Sequence, residues 1–227
     1  MVKKNNSVLV VAAHPDDEAI GCFGTLLNHY KLGDKINIIF LTDGVSSRGK
    51  SEKNKERRKK NCLKVLSALG LKKNNVFFLD YPDNMLDTVP LLDVIKDIEE
   101  IKQKIKPNIL YTHFSNDLNI DHRIAYQAAV TASRPTTNET VKKIFCFEIL
   151  SSTEWSDKNK QIFSPNYFVD ISKFINKKIK ALKIYDKEIK KSPNARSLEN
   201  IKNHASTRGS TIGTYYAEAF FVERIQE

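Results

Sequence analysis

The sequence predicts an α/β fold, a Rossmann-like three-layer sandwich with a mostly parallel sheet. Five short apolar runs rich in β-branched and aromatic residues alternate with longer segments whose apolar residues have helical spacing. Strands that alternate with helices form βαβ units, which build a parallel sheet with helices on both faces. No linker, repeat or low-complexity tract interrupts the pattern, so we expect one domain over residues 1–227.

The elements predicted up to residue 80 alternate strictly between strand and helix. They are a strand over 7–13, a helix over 18–32, a strand over 35–41, a helix over 53–69 and a strand over 75–80. The first strand, SVLVVAA, is apolar throughout, as expected of a strand that is buried on both faces. Gly33 and Gly70 follow the two helices and end them.

The alternation continues to residue 150 and then becomes less regular. The further elements are a helix over 90–105, strands over 108–113 and 142–150 on either side of a helix over 122–133, a strand over 167–171, helices over 174–189 and 197–204, and a strand over 219–225. We therefore expect residues 1–150 to form a catalytic α/β core. Residues 151–227 are expected to extend it with C-terminal helices and a short late strand.

The composition excludes several classes of protein. Hydrophobic residues make up 41% and charged residues 28%, which is ordinary for a globular protein and argues against disorder. Three cysteines without a CxxC pair exclude a disulfide framework and a thiolate zinc site, and they fit a reducing compartment. No apolar run approaches the length of a membrane span. We expect a cytoplasmic protein.

The net charge of +10 has two interpretations. One is an anionic partner, such as a nucleic acid, a lipid surface or a phosphorylated substrate. The other is a lysine-rich surface, since the patches at 50–60 and 177–191 have the spacing of exposed helix faces. No nucleic-acid-binding motif accompanies the charge, which favours the second interpretation.

Polar side chains follow the predicted strands at one edge of the sheet. In an open parallel sheet, ligands bind outside the carboxyl ends of the strands. The candidates, strand by strand, are His14, Asp16, Asp17 and Glu18; Asp43 and Arg48; Asp80 and Asp83; and His113, Asp117, Asn119, Asp121 and His122. Carboxylates and imidazoles that converge from separate loops are typical of a metal site.

The segment HPDDE at 14–18 is the most informative. Adjacent carboxylates repel each other, and a divalent cation removes that cost. His14 and Asp17 could face one ion at a strand-to-helix turn, with His122 as the third ligand. Two histidines and one carboxylate with an open position are typical of catalytic zinc. Asp16 would then act as the general base on water.

A simpler interpretation is that the acids of the HPDDE segment only cap the following helix, where a helix dipole favours negative charge. The second cluster, DLNIDH at 117–122, follows another strand of the same predicted sheet. Two clusters at one edge favour the metal site over helix capping alone.

The stretch AHPDDE (13–18) and the later DLNIDHR (117–123) resemble the LmbE/PIG-L-like zinc N-deacetylases. That family removes acetyl groups from N-acetylglucosamine-type conjugates. The resemblance extends through residue 150 in the order of motifs and elements. It implies zinc, one ion per chain, on His14, Asp17 and His122, while this ligand set leaves iron open.

The resemblance also implies catalytic roles for Asp16, Asp121 and Asn119. Asp16 would be the general base, and Asp121 a supporting or proton-relay carboxylate beside the ligand. Many family members have a histidine where this chain has Asn119. An asparagine can donate a hydrogen bond to an oxyanion but cannot carry a proton. Protonation of the leaving amine would then fall to Asp16 or to a histidine such as His113.

Three residues are candidates for substrate binding. The resemblance places the family's substrate-binding arginine at Arg58. Arg48 could hold a sugar hydroxyl or a phosphate, or be a surface charge. Asp83 could bind a sugar hydroxyl or close a turn. Trp155 could stack on a sugar ring, but a packing role is the expectation for it.

The sequence therefore predicts a zinc-dependent hydrolase that removes the N-acetyl group from an amino-sugar conjugate. We expect a small-molecule substrate, with a nucleotide- or lipid-linked anionic form left open, as is a homo-oligomer. No nucleic-acid partner and no integral membrane segment are expected. The alternatives are a metal-dependent phosphoester hydrolase, which would need a second metal, and a basic nucleic-acid-binding protein with a degenerate metal pocket.

Overall fold

A seven-stranded sheet is formed within residues 5–49 and 51–227, which the computed structural model describes. Its strands are β1 (Ser7–Ala12), β2 (Lys35–Thr42), β3 (Val76–Tyr81), β4 (Ile109–His113), β5 (Lys143–Phe147), β6 (Tyr167–Asp170) and β7 (Ala217–Ile225). The order is β3-β2-β1-β4-β5-β7-β6, with β1 to β5 parallel. β7 runs antiparallel to β5, and β6 antiparallel to β7.

Helices cover both faces of this sheet and confirm the predicted three-layer α/β fold. They are α1 (Asp17–Gly21), α2 (Phe23–Leu32), α3 (Glu52–Ser67), α4 (Leu91–Ile105), α5 (Ile120–Ala132), α6 (Ile175–Ile184) and α7 (Leu198–Ser210). Alternate side chains of β1 point to opposite faces. Val10 packs in a core with Leu182 of α6, while Leu9 packs in the other core with Val94 of α4.

The helix predicted over 18–32 is interrupted. Cys22 has φ −144° and separates α1 from α2. The two helices approach their neighbours closely, since a Cβ atom at Gly21 would lie 2.6 Å from the Phe147 ring and one at Gly24 would lie 2.6 Å from Ile171. These contacts are long-range, so helical spacing in the sequence did not reveal the break.

Two predicted elements end earlier in the structure than the sequence suggested. The strand predicted over 142–150 ends at Phe147, and the chain then leaves the sheet to carry side chains toward the candidate site. The helix predicted over 174–189 ends at Ile184. The buried Tyr185 hydroxyl donates to Glu18 across the core, which turns the chain inward.

The last helix is longer than predicted: the sequence predicts a helix over 197–204, and α7 spans Leu198–Ser210. Of the predicted basic patch at 50–60, Lys50 lies outside the described residues. Across the described part of the chain, no helix is both long and apolar enough to span a membrane.

The strand order reverses beside β1, which is flanked by β2 on one side and β4 on the other. Such a switch point opens a crevice at the carboxyl ends of the strands, where α/β folds bind ligands. The loops after β1 and β4 carry the two motifs found in the sequence. The fold therefore brings both motifs to one crevice.

Candidate metal and catalytic centre

The three predicted metal ligands lie together at the switch point, and all are buried. His14 Nδ1 is 3.2 Å from Asp17 Oδ2 and 3.2 Å from His122 Nε2. Asp17 Oδ1 is 3.6 Å from His122 Nε2. His14 lies in the turn after β1, Asp17 is the first residue of α1, and His122 lies in the first turn of α5.

The other ring nitrogen of His14 faces two further carboxylates. His14 Nε2 lies 3.1 Å from Asp121 Oδ2 and 3.3 Å from Asp83 Oδ1. Burial by itself would lower the pKa of His14, but Asp17 and the hydrogen bonds to Asp121, Asp17 and Asp83 raise it well above its usual value. Asp121 is fixed in turn by the backbone amides of Asn84 and Leu86.

His122 is oriented by Asp117, whose Oδ1 lies 3.1 Å from His122 Nδ1. Asp117 accepts hydrogen bonds from the hydroxyls of Ser152 and Thr153, which follow β5. Burial would raise the pKa of Asp117, but His122 and these hydrogen bonds lower it to about 2. A carboxylate on the outer nitrogen of a ligand histidine fixes the ring and increases its basicity as a ligand.

His113, the last residue of β4, contacts two of the predicted metal ligands. Its Nε2 accepts a 2.9 Å hydrogen bond from the amide of Ala13 and lies 3.4 Å from Asp17 Oδ2. Its ring stacks on His122 with centroids 4.1 Å apart. Burial, followed by the neighbouring His122, lowers the pKa of His113 to about 4. His113 is therefore neutral near pH 7.

The arrangement fits a divalent cation. Among the described residues, no donor forms a hydrogen bond with the buried Asp17 Oδ1. A buried carboxylate oxygen without a donor is costly, and a cation would remove that cost. Two imidazole nitrogens and a carboxylate suit zinc or iron. A second group of possible ligands, His14, Asp83 and Asp121, shares His14 with the first.

Asp16 is buried between two arginines. Its Oδ1 is 2.9 Å from Arg58 Nη2, and its Oδ2 is 3.1 Å from Arg196 Nη1. Burial raises the pKa of Asp16, and the two guanidinium groups oppose that rise. The residue has φ 151°, a backbone conformation that costs energy for a side chain other than glycine. The backbone amide of Asp16 donates a hydrogen bond to the Glu18 carboxylate, and this bond stabilises the turn.

A charge network, buried at Asp16, Arg58 and Glu188, extends from Asp16 toward α3 and the segment after α6. Arg58 pairs with Glu188 and donates to the carbonyl oxygens of Pro15 and Gly44. Arg48 pairs with the same glutamate at 2.9 Å. We call this set the charged side of the centre; its members are Asp16, Arg48, Arg58, Glu188 and Arg196.

The structure assigns each candidate substrate-binding residue a protein partner. Arg58 is only 5% exposed, so its contacts favour a role in holding Asp16 over one in binding substrate. The Arg48 side chain is 55% exposed, although one Nη donates to Gly44 and Glu188. Asp83 contacts His14 and accepts from Ser47, so it does more than close a turn.

Asn119, a predicted catalytic residue, is the N-cap of α5. Its Oδ1 accepts from the amide of Asp121 at 2.8 Å, and its Nδ2 donates to Asn84 Oδ1 at 2.8 Å. A primary amide has two N–H donors, so one N–H of Asn119 remains for a ligand.

Sequence reasoning missed Arg196, Glu188 and Ser152. No motif marks these three residues, and Glu188 lies at the end of a segment whose helical spacing gave no sign of its partner. Only the tertiary fold places Arg196 beside Asp16, Glu188 beside Arg58 and Ser152 beside Asp117. The packing role expected for Trp155 is wrong, because its side chain is 53% exposed.

Comparison with known proteins gives a consistent result. The profile of a family described as PIG-L, GlcNAc-PI de-N-acetylase, matches residues 9–133. The chain is also similar to a protein of Escherichia coli K12 named uncharacterized deacetylase YaiS. The two are 29% identical over 166 residues, which span 70% of this chain and 82% of that protein.

Solved structures show the same fold. N,N'-diacetylchitobiose deacetylase from Pyrococcus horikoshii superposes with a TM-score of 0.76 at 23% identity, covering 98% of this chain and 85% of its own. A conserved protein from Thermus thermophilus has a TM-score of 0.78 at 25% identity, covering 98% of this chain and 96% of its own. These likenesses span both the α/β core and the C-terminal extension.

Proposed function

Since the chain belongs to the PIG-L family of de-N-acetylases, we propose that it is a zinc-dependent hydrolase that removes the acetyl group from an N-acetylglucosamine-type conjugate. The observation that supports this most is the buried cluster of His14, Asp17 and His122, with Asp16 held next to it. A deacetylase needs an electrophilic centre and a base at one point; the cluster would hold the metal that serves as the first, and Asp16 would serve as the second.

His14, Asp17 and His122 would hold the metal ion. A bound zinc supplies Lewis acidity, which polarises a carbonyl group and makes water more acidic. Asp121 and Asp117 accept from the outer nitrogens of the two histidines and so keep both rings turned toward Asp17.

Asp16 is proposed to take the proton from the attacking water. Arg58 and Arg196 bind opposite oxygens of its carboxylate, so the group is held in one orientation, and their charges oppose the rise in its pKa that burial causes. A general base in a fixed position contributes about 10²- to 10⁴-fold to a rate. The positive φ of Asp16 is consistent with strain kept at a reacting residue.

Asp16 is also the better candidate to protonate the leaving amine. His113, the other candidate, has its Nε2 engaged by the Ala13 amide and its pKa lowered to about 4. A neutral imidazole without a free acceptor nitrogen is a poor proton carrier. The proton that Asp16 takes from water would pass to the nitrogen as the C–N bond breaks, giving acetate and a free amine.

The remaining N–H of Asn119 is proposed to donate to the oxygen of the acetyl group as negative charge develops on it. The side chain is fixed by Asn84 and by the N-cap bond, so little reorganisation would be needed. Arg48 is proposed to contact a sugar hydroxyl or an anionic group attached to the sugar, and Asp83 a sugar hydroxyl.

The test is acetate release from N-acetylglucosamine conjugates by the full chain, after metal removal and reconstitution with zinc or iron(II). Methyl N-acetylglucosaminide and a nucleotide-linked N-acetylglucosamine serve as neutral and anionic probes. Acetate that appears only with metal supports the proposal. A phosphoester probe cleaved faster than either amide would contradict it.

A further inference from the structure

Tyr185 is a buried tyrosine that has no part in the mechanism described so far. It directly follows α6, and its hydroxyl donates a 2.7 Å hydrogen bond to Glu18 Oε1. A phenylalanine would fill the same space without a polar group that needs a partner. The hydroxyl therefore indicates that its bond to Glu18 has a role of its own.

Glu18 extends the contact from Tyr185 to Asp16. While Glu18 Oε1 accepts from the tyrosine, its Oε2 accepts a 3.0 Å hydrogen bond from the backbone amide of Asp16. The Glu18 side chain is buried, so a rotation away from these two donors would leave polar oxygens without partners. The hydroxyl of Tyr185 thus fixes the carboxylate that binds the backbone of Asp16.

The backbone of Asp16 depends on such support. Its φ of 151° and ψ of −22° lie outside the conformations that residues other than glycine favour. A strained conformation persists only where the surrounding structure holds it. If this turn relaxed, the direction of the side chain would change, and the carboxylate would move away from Arg58 and Arg196.

Helix α6, which presents Tyr185 to Glu18, is itself anchored to α1 and α2. Lys178 of α6 is buried, and its Nζ donates to the carbonyl oxygen of Ile20 and pairs with Glu218, both at 2.6 Å. Glu218 in turn accepts hydrogen bonds from two backbone amides in the first turn of α2. The tyrosine therefore reaches Glu18 from a helix whose position is fixed.

The segment that begins at Tyr185 also reaches the side chain of Asp16. Glu188 pairs with Arg58, which binds Asp16 Oδ1. Arg196 binds Asp16 Oδ2 directly. One segment between α6 and α7 therefore contacts Asp16 in two ways, at its backbone through Tyr185 and at its carboxylate through the arginines.

We propose that Tyr185 is a positioning residue for the general base: through Glu18 it holds the backbone of Asp16 in the conformation that directs the carboxylate to the attacking water. This inference rests on the proposed function, because Asp16 is a base only if the chain is a deacetylase. The link between Tyr185 and Asp16 can nevertheless be measured without turnover. The proposal gives a residue of the C-terminal extension, far from both sequence motifs, a part in the reaction.

Hydrogen exchange at the Asp16 amide tests the link in the full chain. The protein is labelled with isotope-enriched aspartate for NMR, and Asp16→Asn identifies the Asp16 resonance by its loss. In Tyr185→Phe, which removes only the hydroxyl, this amide should exchange about tenfold faster, the factor that corresponds to the loss of one hydrogen bond. The matched control is Tyr111→Phe. Tyr111 is also buried, but its hydroxyl lies 3.0 Å from His29 Nε2 instead, so this variant should keep the wild-type exchange rate at Asp16.

Acetate release from methyl N-acetylglucosaminide by the metal-loaded protein is the second readout. Tyr185→Phe should lower kcat about tenfold with little change in KM, because a displaced base slows the reaction without weakening substrate binding. Its metal content should match that of the wild type, and Tyr111→Phe should keep kcat. In the Asp16→Asn background, Tyr185→Phe should cause no further loss, since no base remains to be positioned. Tyr185→Met removes the same hydroxyl and is a further variant should Tyr185→Phe fold poorly.

Each outcome decides the proposal. An unchanged exchange rate at Asp16 in Tyr185→Phe would overturn it, and so would faster exchange with unchanged kcat or a loss confined to KM. A loss of kcat that persists in full in the Asp16→Asn background would mean that Tyr185 acts on another group, which also overturns the proposal. Faster exchange in Tyr185→Phe, together with a wild type that releases no acetate, would support the link from Tyr185 to Asp16 and refute the proposed activity.

Discussion

The two sides of the candidate centre differ in charge and in burial. On the charged side, Asp16 and Arg58 are buried and joined to Glu188 in one network of ion pairs. On the other side, Met85, Leu118 and Trp155 are about half exposed. Charged side chains are buried on one side, and apolar side chains are exposed to water on the other.

The difference indicates that the two sides have separate roles. A buried ion pair gains little net stability, because desolvation offsets its attraction, so such a network is best explained by what it positions. Single exposed apolar residues are ordinary on a protein surface and likewise contribute little to folding. On this account, the charged side serves the reaction.

Asp16→Asn should have the largest effect on activity. The amide cannot take a proton from water, so kcat should fall by about 10³-fold. Metal content should remain near that of the wild type, since Asp16 lies outside the ligand cluster. Acetate release and metal analysis on the same preparations check both points, and a variant that kept wild-type kcat would remove Asp16 from the mechanism.

Glu188→Gln should affect stability. Burial would raise the pKa of Glu188, but Arg58 and then Arg48 lower it below its usual value. A carboxyl group whose pKa is lowered in the folded state stabilises above its unfolded pKa and loses that contribution as the pH falls through the folded value. At pH 7 the variant should lose about 2 kcal/mol in the free energy of unfolding.

Urea unfolding at several pH values measures this loss. The difference between the wild type and Glu188→Gln should shrink as the pH falls below about 4.5, the unfolded pKa of a glutamate. A difference that stayed constant down to pH 3 would mean that the charge of Glu188 does not stabilise the network.

Arg196→Gln should have a smaller effect on activity than Asp16→Asn. One oxygen of Asp16 would lose its partner while Arg58 still held the other, so kcat should fall about tenfold with little change in KM. Arg196→Lys, which keeps the charge, should recover part of kcat. A change confined to KM would instead make Arg196 a substrate-binding residue.

Leu118→Ser should have the smallest effect on stability. The side chain is 55% exposed, so the free energy of unfolding should change by less than about 0.5 kcal/mol. Thermal unfolding of the variant and of the wild type measures this change in the free energy of unfolding. A loss above about 2 kcal/mol would show that Leu118 packs in the protein and would weaken the contrast between the two sides.

The predicted parts of the fold are those whose signals are local. The strands up to β4 and the residues that follow them could be found because apolar runs and sheet geometry place those residues at one edge. The cluster of His14, Asp17 and His122 follows from that placement. The break at Cys22 and the early end of α6 could not be found, since both depend on contacts across the core.

The charged side shows the same limit of prediction from sequence. The family resemblance implies Arg58, but the burial of this side chain against Glu188 depends on a segment more than a hundred residues later. Arg196 precedes α7 in a stretch without periodicity, so no pattern in the sequence connects it to Asp16. Trp155 was expected to pack because tryptophan usually does, and its loop instead places it in solvent.

Metal content per chain tests the central claim most directly. The wild type, Asp17→Asn and Asp83→Asn are loaded with zinc, freed of excess metal and analysed. The account predicts about one ion in the wild type, nearly none in Asp17→Asn and close to one in Asp83→Asn, because losing a ligand costs more than losing a neighbour of a ligand. Full metal content in Asp17→Asn, or two ions in the wild type, would contradict it.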